Sequence, residues 1–510
     1  MLQEVIRHAR EAPDKRAVAD LDRELTYAAF IEEVVWAASG LLQRGVHEGD
    51  RVALFLTNSV DFVVAAFASL WVGAVFVPLA TTDPPSRLST IVSDCQPTLI
   101  LGHDETDDDT PLAIKGFNIV AMSELRQSPA SRLDPVSSRS RAAYMIYTSG
   151  TTGTPKGVIV GTRAFGAAVR STANILGLTT STVTLCVSPF HFDGSYSSLF
   201  TTLYSGGTVI IRPRDALLFA RTFFNAVVNE NVTYSGFTPA YLRLLLASPQ
   251  IGGLSNSPLA MIALGGEAIP AADLRSLWAH APRMRVFNRY GPTETTICVT
   301  DVELRSDALR DDTIPIGTPH PGVSFYLVDD GKMVDEVNTV GELHIGGDQL
   351  MDGYWNAPEL TARALSTDIV SGETLYRTGD LAYRDLDGNY VYVDRADRVI
   401  KRSGVRISLV ELSGAISSLG AVSSAACLSF DDGGKLGIVA FVVPESDVST
   451  LDLRRMASEL LPGTMLPDRF DLVEALPINR SNKLDERRLL HDAGLEPARA
   501  GARPGVSHRS

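Results

Sequence analysis

Cysteine is scarce in this chain. Cys95, Cys186, Cys298 and Cys427 are the only four in 510 residues, and no two form a CxxC pair or join a histidine cluster. That argues against a disulfide framework or a structural zinc site and fits a reducing cytoplasm. Basic charge is also short. Lysine and arginine number 46 against 60 acidic residues, a formal net charge of −14, so general affinity for nucleic acid or an anionic membrane is not expected. Long apolar runs are nearly absent. The best candidate, VVAAFASLWVGAVFVPLA at 63–80, is interrupted by Gly73 and Pro78 and bracketed by Asp61 and Asp83. It reads as a buried helix running into a buried strand, not as a membrane span. The opening MLQEVIRHAREAPDKRA is amphipathic and lacks the apolar stretch of a signal peptide. The expected location is cytoplasmic, with neither nucleic acid nor membrane as partner.

What is present is an ordinary globular mixture, 45% hydrophobic and 21% charged, in a chain too long for one core. Short apolar runs such as VALFL (52–56), TLILG (98–102), GTVIIRP (207–213) and MRVFNRYG (284–291) alternate with helical patterns. That alternation predicts an α/β fold with mostly parallel strands covered on both faces. Around 322–353 the texture changes to short strands with glycine turns, and DLDGNYVYVDR at 385–395 reads as a hairpin. The expected organisation is a large N-terminal domain over 1–395, with layered αβ subdomains and a β-rich subdomain. A small α+β domain follows over 396–495, then a disordered tail over 496–510. HDETDDDT and RQSPASRLDPVSSRSR read as polar connections.

The strongest single feature is YTSGTTGTPKG, Tyr147 to Gly157, placed after an apolar strand and before another. Its glycine N–H groups and hydroxyls suit phosphate oxygens, and Lys156 adds positive charge. It is not a Walker A loop, because Gly157 and not Ser or Thr follows Lys156. On composition alone a Gly/Thr-rich surface linker is the alternative. The segment resembles the phosphate loop of the adenylate-forming superfamily, which includes acyl-CoA synthetases, luciferases and nonribosomal peptide synthetase adenylation domains. Further stretches resemble that family's core motifs in the same order: LTYAAF, ASLWVGAVFVPLA, FDGS, NRYGPTE, GELHIGGDQLMDGYW, YRTGDL, DRADRVIKRSGVRISLVEL, LPGTMLP and NRSNKLDERRL. They cover nearly the whole chain.

The resemblance implies ATP and Mg2+ as cofactors and a set of roles. Thr148, Ser149, Gly150, Thr151, Thr152, Gly153 and Lys156 would hold the phosphates, and Glu294 would bind the magnesium. Tyr290 would stack on adenine, with Gly265, Gly266 and Glu267 as the opposite wall and Asn288, Gly291 and Thr293 beside the nucleotide. Asp380 and Arg395 would take the ribose. Lys483 would bridge the carboxylate and the α-phosphate, carried by a mobile C-terminal domain that rotates about a hinge at Asp397. Asp394, Ser403 and Asn482 depart from frequent family residues and leave the subfamily open.

FDGS is the motif that bears on the acid. In amino-acid-activating members of the family its aspartate pairs with the substrate ammonium, here Asp193; a helix N-cap is the alternative reading. The implied pocket is Asp193, Gly194, Ser197, Gly236, Ile262, Leu264, Arg289, Ile297 and Cys298, with Lys483 reaching in. Leu264 is expected to shorten it, Gly194 and Gly236 to open one side, and Arg289 to sit at the rim. A small neutral amino acid such as alanine is therefore expected, with an acidic or β-amino acid on Arg289 as the second choice. Cys298 reads as wall more than nucleophile, and His191 as either gate or packing. The short stretch after Lys483 leaves no room for a carrier domain, so the expected partner is a separate carrier protein with a phosphopantetheine thiol. A fatty- or aryl-acid ligase and an inactive scaffold are the rival readings.

Overall fold

The computed structural model describes residues 1–103, 119–126, 134–135, 142–148, 155–307, 313–329, 331–367, 372–395, 399–402, 405–432, 435–477 and 484–497. The expected acidic and polar connections and the C-terminal tail fall largely outside these residues, as do Asp397 and Lys483.

The α/β reading holds. One eight-stranded sheet runs Thr300–Leu304, Arg285–Tyr290, Met261–Gly265, Tyr234–Phe237, Val183–Cys186, Thr208–Ile211, Arg16–Ala19 and Glu24–Thr26. Its six inner strands are parallel and its two edge strands antiparallel. A seven-stranded sheet runs Gly353–Tyr354, Lys156–Gly161, Ala142–Thr148, Val75–Pro78, Arg51–Phe55, Leu99–Gly102 and Ile119–Ala121. The apolar run at 63–80 becomes the buried helix Val60–Trp71, capped by the Ser59 hydroxyl, and the buried strand Val75–Pro78. None of the described helices is long and apolar enough to cross a membrane.

One hydrophobic cluster joins the two sheets. It takes Val18, Val209 and Ile211 from the first and Val52, Leu54 and Phe76 from the second, with helices between. Edge-to-face aromatic contacts among Phe30, Phe67, Tyr144, Phe165, Tyr196 and Phe200 fill the middle. Such rings contribute about 0.5–1.5 kcal/mol per pair beyond burial. This core fixes the helix that follows Asp193 against the strand that enters the phosphate loop.

A third, antiparallel sheet contains Val323–Asp329, Gly341–Gly347, Thr374–Arg384 and Tyr390–Arg395. The expected hairpin is its last pair: Asp385 accepts from the backbone N–H groups of Asp387 and Asn389, and Gly388 turns at φ 84°. From Val399 onward, described strands pair only with one another, as Val399–Arg402 with Val405–Ser408 and as the sheet Val422–Asp432, Lys435–Pro444, Arg469–Leu472. They have their own core around Leu412, Ile416, Ile438, Ala440 and Leu453. Among the contacts with the larger part, the Ser86 hydroxyl donates to the Glu459 carbonyl at 2.6 Å, and Arg87 lies 3.8 Å from Glu411.

Candidate active site

The strands on either side of the expected phosphate loop pair with one another. Ala142–Thr148 pairs antiparallel with Lys156–Gly161, and Thr148 sits opposite Lys156 at its mouth. Residues 149–154, including Ser149, Gly150, Thr151, Thr152 and Gly153, lie outside the described residues. Lys156 Nζ stands 5.2 Å from the ring centroid of Tyr354, whose hydroxyl donates to Glu294 Oε1 at 2.9 Å. Tyr354 is held there because Gly353–Tyr354 forms an edge strand on Lys156–Gly161. Tyr354 therefore connects the loop lysine to the buried glutamate of YGPTE. The sequence reading missed it, although MDGYW was among the motifs.

Glu294 is 4% exposed, on a one-turn helix whose entry Pro292 fixes. Gly291 has no room for a side chain: a Cβ there would lie 2.5 Å from Cys298 Cα and 3.0 Å from the Ile297 carbonyl. A buried carboxylate beside a lysine-tipped phosphate loop is a fitting hard donor for magnesium.

Tyr290 and Asp380 meet directly, the phenol donating to Asp380 Oδ2. Burial and the Asp380 charge hold that phenol well above its ordinary pKa. Asp380 is cross-strand from Arg395, so the register alone brings the two expected ribose ligands together. Asn288, expected beside the nucleotide, spends its side-chain amide on the Pro315 carbonyl at 2.7 Å. Glu267 accepts from the Ala240 N–H at 3.2 Å, and Gly266 makes the strand exit at φ 88°, a conformation suited to glycine.

The substrate side is decided by strand pleat. In parallel register Gly236 lies beside Ala263, and Gly265 beside Arg289. Side chains alternate faces, so Tyr234, Gly236, Gly265 and Arg289 share the face that meets the helix after Asp193. Ile262 and Leu264 point the other way, into a core with Phe237, Leu274 and Val286. Their expected place in the pocket wall is corrected by this alternation, and Leu264 does not shorten the pocket. Arg289, expected at the rim, is buried, its Cγ 2.5 Å from where a Gly265 Cβ would be.

Asp193 is buried on a one-turn helix and does not cap the helix Tyr196–Tyr204, whose first turn has no side-chain cap. Its Oδ2 has no hydrogen-bond partner. Burial, and to a lesser degree the charge of Glu294, pushes its pKa up to about 7, opposed by hydrogen bonding from Thr293 and from the backbone at Gly194 and Ile297. Thr293, expected near nucleotide, thus hydrogen-bonds Asp193. Ser197, one turn along, donates to the Gly194 carbonyl at 2.6 Å and accepts from Arg289 Nη1. Cys298 is a wall: burial pushes its thiol far above the ordinary range. Burial with Arg214 and Arg87 nearby pushes His191 down to about 3, so its ring is neutral at physiological pH.

Thr296 and Ile297 both take positive φ, 60° and 68°, which costs a β-branched residue about 1–3 kcal/mol. A buried relay holds them. Gln349 Nε2 donates to the Cys298 carbonyl at 2.7 Å, and the Thr296 hydroxyl donates to the Gln349 carbonyl at 2.7 Å. Gln349 Oε1 is 3.1 Å from His320 Nδ1, and His320 Nε2 is 3.1 Å from Asp301 Oδ2. Asp301 and His320 lie outside the motifs, and Gln349, although within GELHIGGDQLMDGYW, was not singled out. Potential ligand atoms of Cys298, Asp301 and His320 lie within 4.8 Å of one another. They do not fit a cation, because the Thr172 hydroxyl donates to Asp301 Oδ2 at 3.0 Å and Arg289 Nε is 3.2 Å from Oδ1.

Residues 5–355 match the family described as AMP-binding enzyme. The chain belongs to this family of adenylate-forming ligases. It is 30% identical over 485 residues to Gramicidin S synthase 2 of Brevibacillus brevis, an alignment that takes in 94% of this chain but 11% of that protein. Other curated relatives are likewise much longer, the chain spanning 6% of Malpinin synthetase of Mortierella alpina at 31% identity. The crystal structure of IdnL1 superposes with a TM-score of 0.80 at 27% identity, covering 94% of this chain and 99% of that one. The fold is shared equally with o-succinylbenzoate CoA synthetase of Bacillus subtilis, TM-score 0.84 at 24% identity, over 97% and 99% of the two chains.

Proposed function

We propose that the chain activates an amino acid to its aminoacyl-adenylate and passes the acyl group to the phosphopantetheine thiol of a separate carrier protein. In the first step a carboxylate oxygen of the substrate attacks the α-phosphorus of ATP. The bond to the β-phosphate bridging oxygen breaks and pyrophosphate leaves. In the second, the carrier sulfur attacks the acyl carbon, the C–O bond to AMP breaks, and the thiol proton goes to solvent.

Both reactants of the first step are anions, so the site must offset their repulsion and hold them in line. Lys156 and the loop 148–153 take the β- and γ-phosphates in this reading. Tyr354 keeps Lys156 and Glu294 in register. Glu294 would hold the magnesium ion, which supplies charge neutralisation on the phosphates. Tyr290 packs against adenine, and Asp380 with Arg395 takes the ribose hydroxyls. Lys483 is the cation for the developing charge at the α-phosphate, supplied when the C-terminal part closes and withdrawn by rotation about Asp397 for thioester formation.

The observation that supports an amino acid over a fatty or aryl acid is Asp193. A buried carboxylate with an unpartnered oxygen, not used as a helix cap, is costly without a cation. An ammonium group provides one. ATP–pyrophosphate exchange over amino, fatty and aryl acids tests this. Exchange driven by amino acids and lost in Asp193→Ala supports it. Exchange driven by fatty or aryl acids and kept in Asp193→Ala replaces it with an acyl-CoA or aryl-acid ligase. No adenylate from any acid would leave a binding protein.

A further inference from the structure

Arg289 shares the buried carboxylate of Asp301. Its side chain is 8% exposed and that of Asp301 0%. Arg289 Nε is 3.2 Å from Asp301 Oδ1, while Oδ2 of the same carboxylate faces His320 Nε2 at 3.1 Å and accepts from the Thr172 hydroxyl at 3.0 Å.

The Arg289 donors are unfinished. Nη1 donates to Ser197 and Nη2 to Tyr234 at 3.0 Å, while Nε approaches Asp301 without forming a hydrogen bond. One hydrogen remains on each Nη among the described residues. Gly236 packs closely beside this fork: a Cβ there would stand 2.6 Å from Ser198 Oγ, 3.2 Å from the Tyr234 hydroxyl and 3.7 Å from Arg289 Nη1. A buried guanidinium whose donors are only partly met is stabilised by a further acceptor.

We propose that the acid activated here is an amino acid with a second carboxylate, held by Arg289. This rests on the amino-acid reading above and names its substrate class. A carboxylate offers two acceptors to the two remaining Nη hydrogens, the bidentate match to a guanidinium. A carboxamide would place a donor against one of them, and a hydroxyl offers one oxygen. Asp193 in the one-turn helix and Ser197 in the first turn of the next helix are near in the chain, and Ser197 contacts Arg289. An ammonium on Asp193 and a carboxylate on Arg289 therefore belong to one acid, a short amino dicarboxylate. Tyr234 acts as a positioning residue, fixing the plane of the fork.

ATP–pyrophosphate exchange with the full chain tests this on L- and D-aspartate, L-glutamate, aminomalonate, L-asparagine, L-alanine, β-alanine and succinate. At least one amino dicarboxylate should exceed asparagine and alanine by 10-fold or more in kcat/KM. Arg289→Ala should lose about 100-fold on that acid, mainly through KM, so that the ratio of dicarboxylate to alanine kcat/KM falls. Tyr234→Phe should raise KM for the dicarboxylate several-fold with its kcat little changed, a split that a merely structural role would not give. Wild-type preference for alanine or asparagine over every amino dicarboxylate overturns the proposal and leaves the amino-acid reading standing. Preference for succinate over every amine-bearing acid overturns both. No exchange with any acid of the panel overturns the proposal as well.

Discussion

Asp193→Asn separates the cost of a substrate-binding carboxylate from its use. The Asp193 carboxyl is pushed from 3.8 to about 7 in the folded protein, chiefly by burial. Below about pH 4 it is protonated whether the chain is folded or not, and contributes nothing to stability. Between pH 4 and 7 the folded state alone keeps the proton, so stability falls as pH rises. Above pH 7 the loss is complete. Three pKa units correspond to about 4 kcal/mol, an upper figure for a group buried among polar neighbours. The asparagine amide keeps the shape and carries no charge, so the variant escapes this loss. In a domain of this size about 1 kcal/mol shifts Tm by roughly 1–2 °C. Thermal melts of both proteins without substrate, from pH 5 to 8.5, should therefore diverge. The variant should exceed wild type by about 2–3 °C near pH 5, where part of the loss is already present, and by about 4–8 °C at pH 8.5, while losing exchange activity. Parallel curves, or a variant less stable at pH 8.5, would refute the reasoning.

The same carboxyl gives a pH signature in kinetics: it must be ionised to hold an ammonium, so KM for the amino acid should fall as pH rises through about 7, measured in steady-state exchange. Tyr354→Phe removes the hydroxyl that meets Glu294 and should slow exchange roughly 10-fold by the usual worth of a charge-assisted hydrogen bond, with Tm within about 1 °C. Lys483→Ala should cripple adenylate formation yet leave thioester formation from supplied adenylate largely intact; equal loss of both half-reactions counts against domain rotation. Gly291→Ala drives a Cβ into the Cys298 and Ile297 backbone and should lower stability by about 1–3 kcal/mol, read as a fall in Tm of a few degrees.

The parts of the fold set by local pattern were legible in the sequence. The apolar run at 63–80 could only be a buried helix and strand once Gly73 and Pro78 were weighed, and Asp387-Gly388 marked its hairpin. The nucleotide side was legible because its residues sit in contiguous motifs: Thr148 faces Lys156 across one hairpin, and Asp380 is cross-strand from Arg395. The substrate side was not. Whether Leu264 or Gly265 faces the pocket depends on strand register, and a one-residue change of parity exchanges the faces. Arg289 was assigned to the pocket but misplaced at its rim, because burial depends on the strands around it. Asp301, His320 and Gln349 reach the site from separate segments, and only Gln349 lies in a motif. Their role appears only when three chain-distant side chains are seen to share hydrogen bonds.

The central claim is that Asp193 grips an amine. The binding of a non-hydrolysable aminoacyl sulfamoyl-adenosine and of its desamino counterpart to the full chain, by isothermal titration calorimetry, tests it most directly. The account predicts about 100-fold tighter binding of the amine-bearing compound by the wild-type enzyme and nearly equal binding of the two by Asp193→Asn. Equal affinity for both compounds on the wild-type enzyme would contradict it.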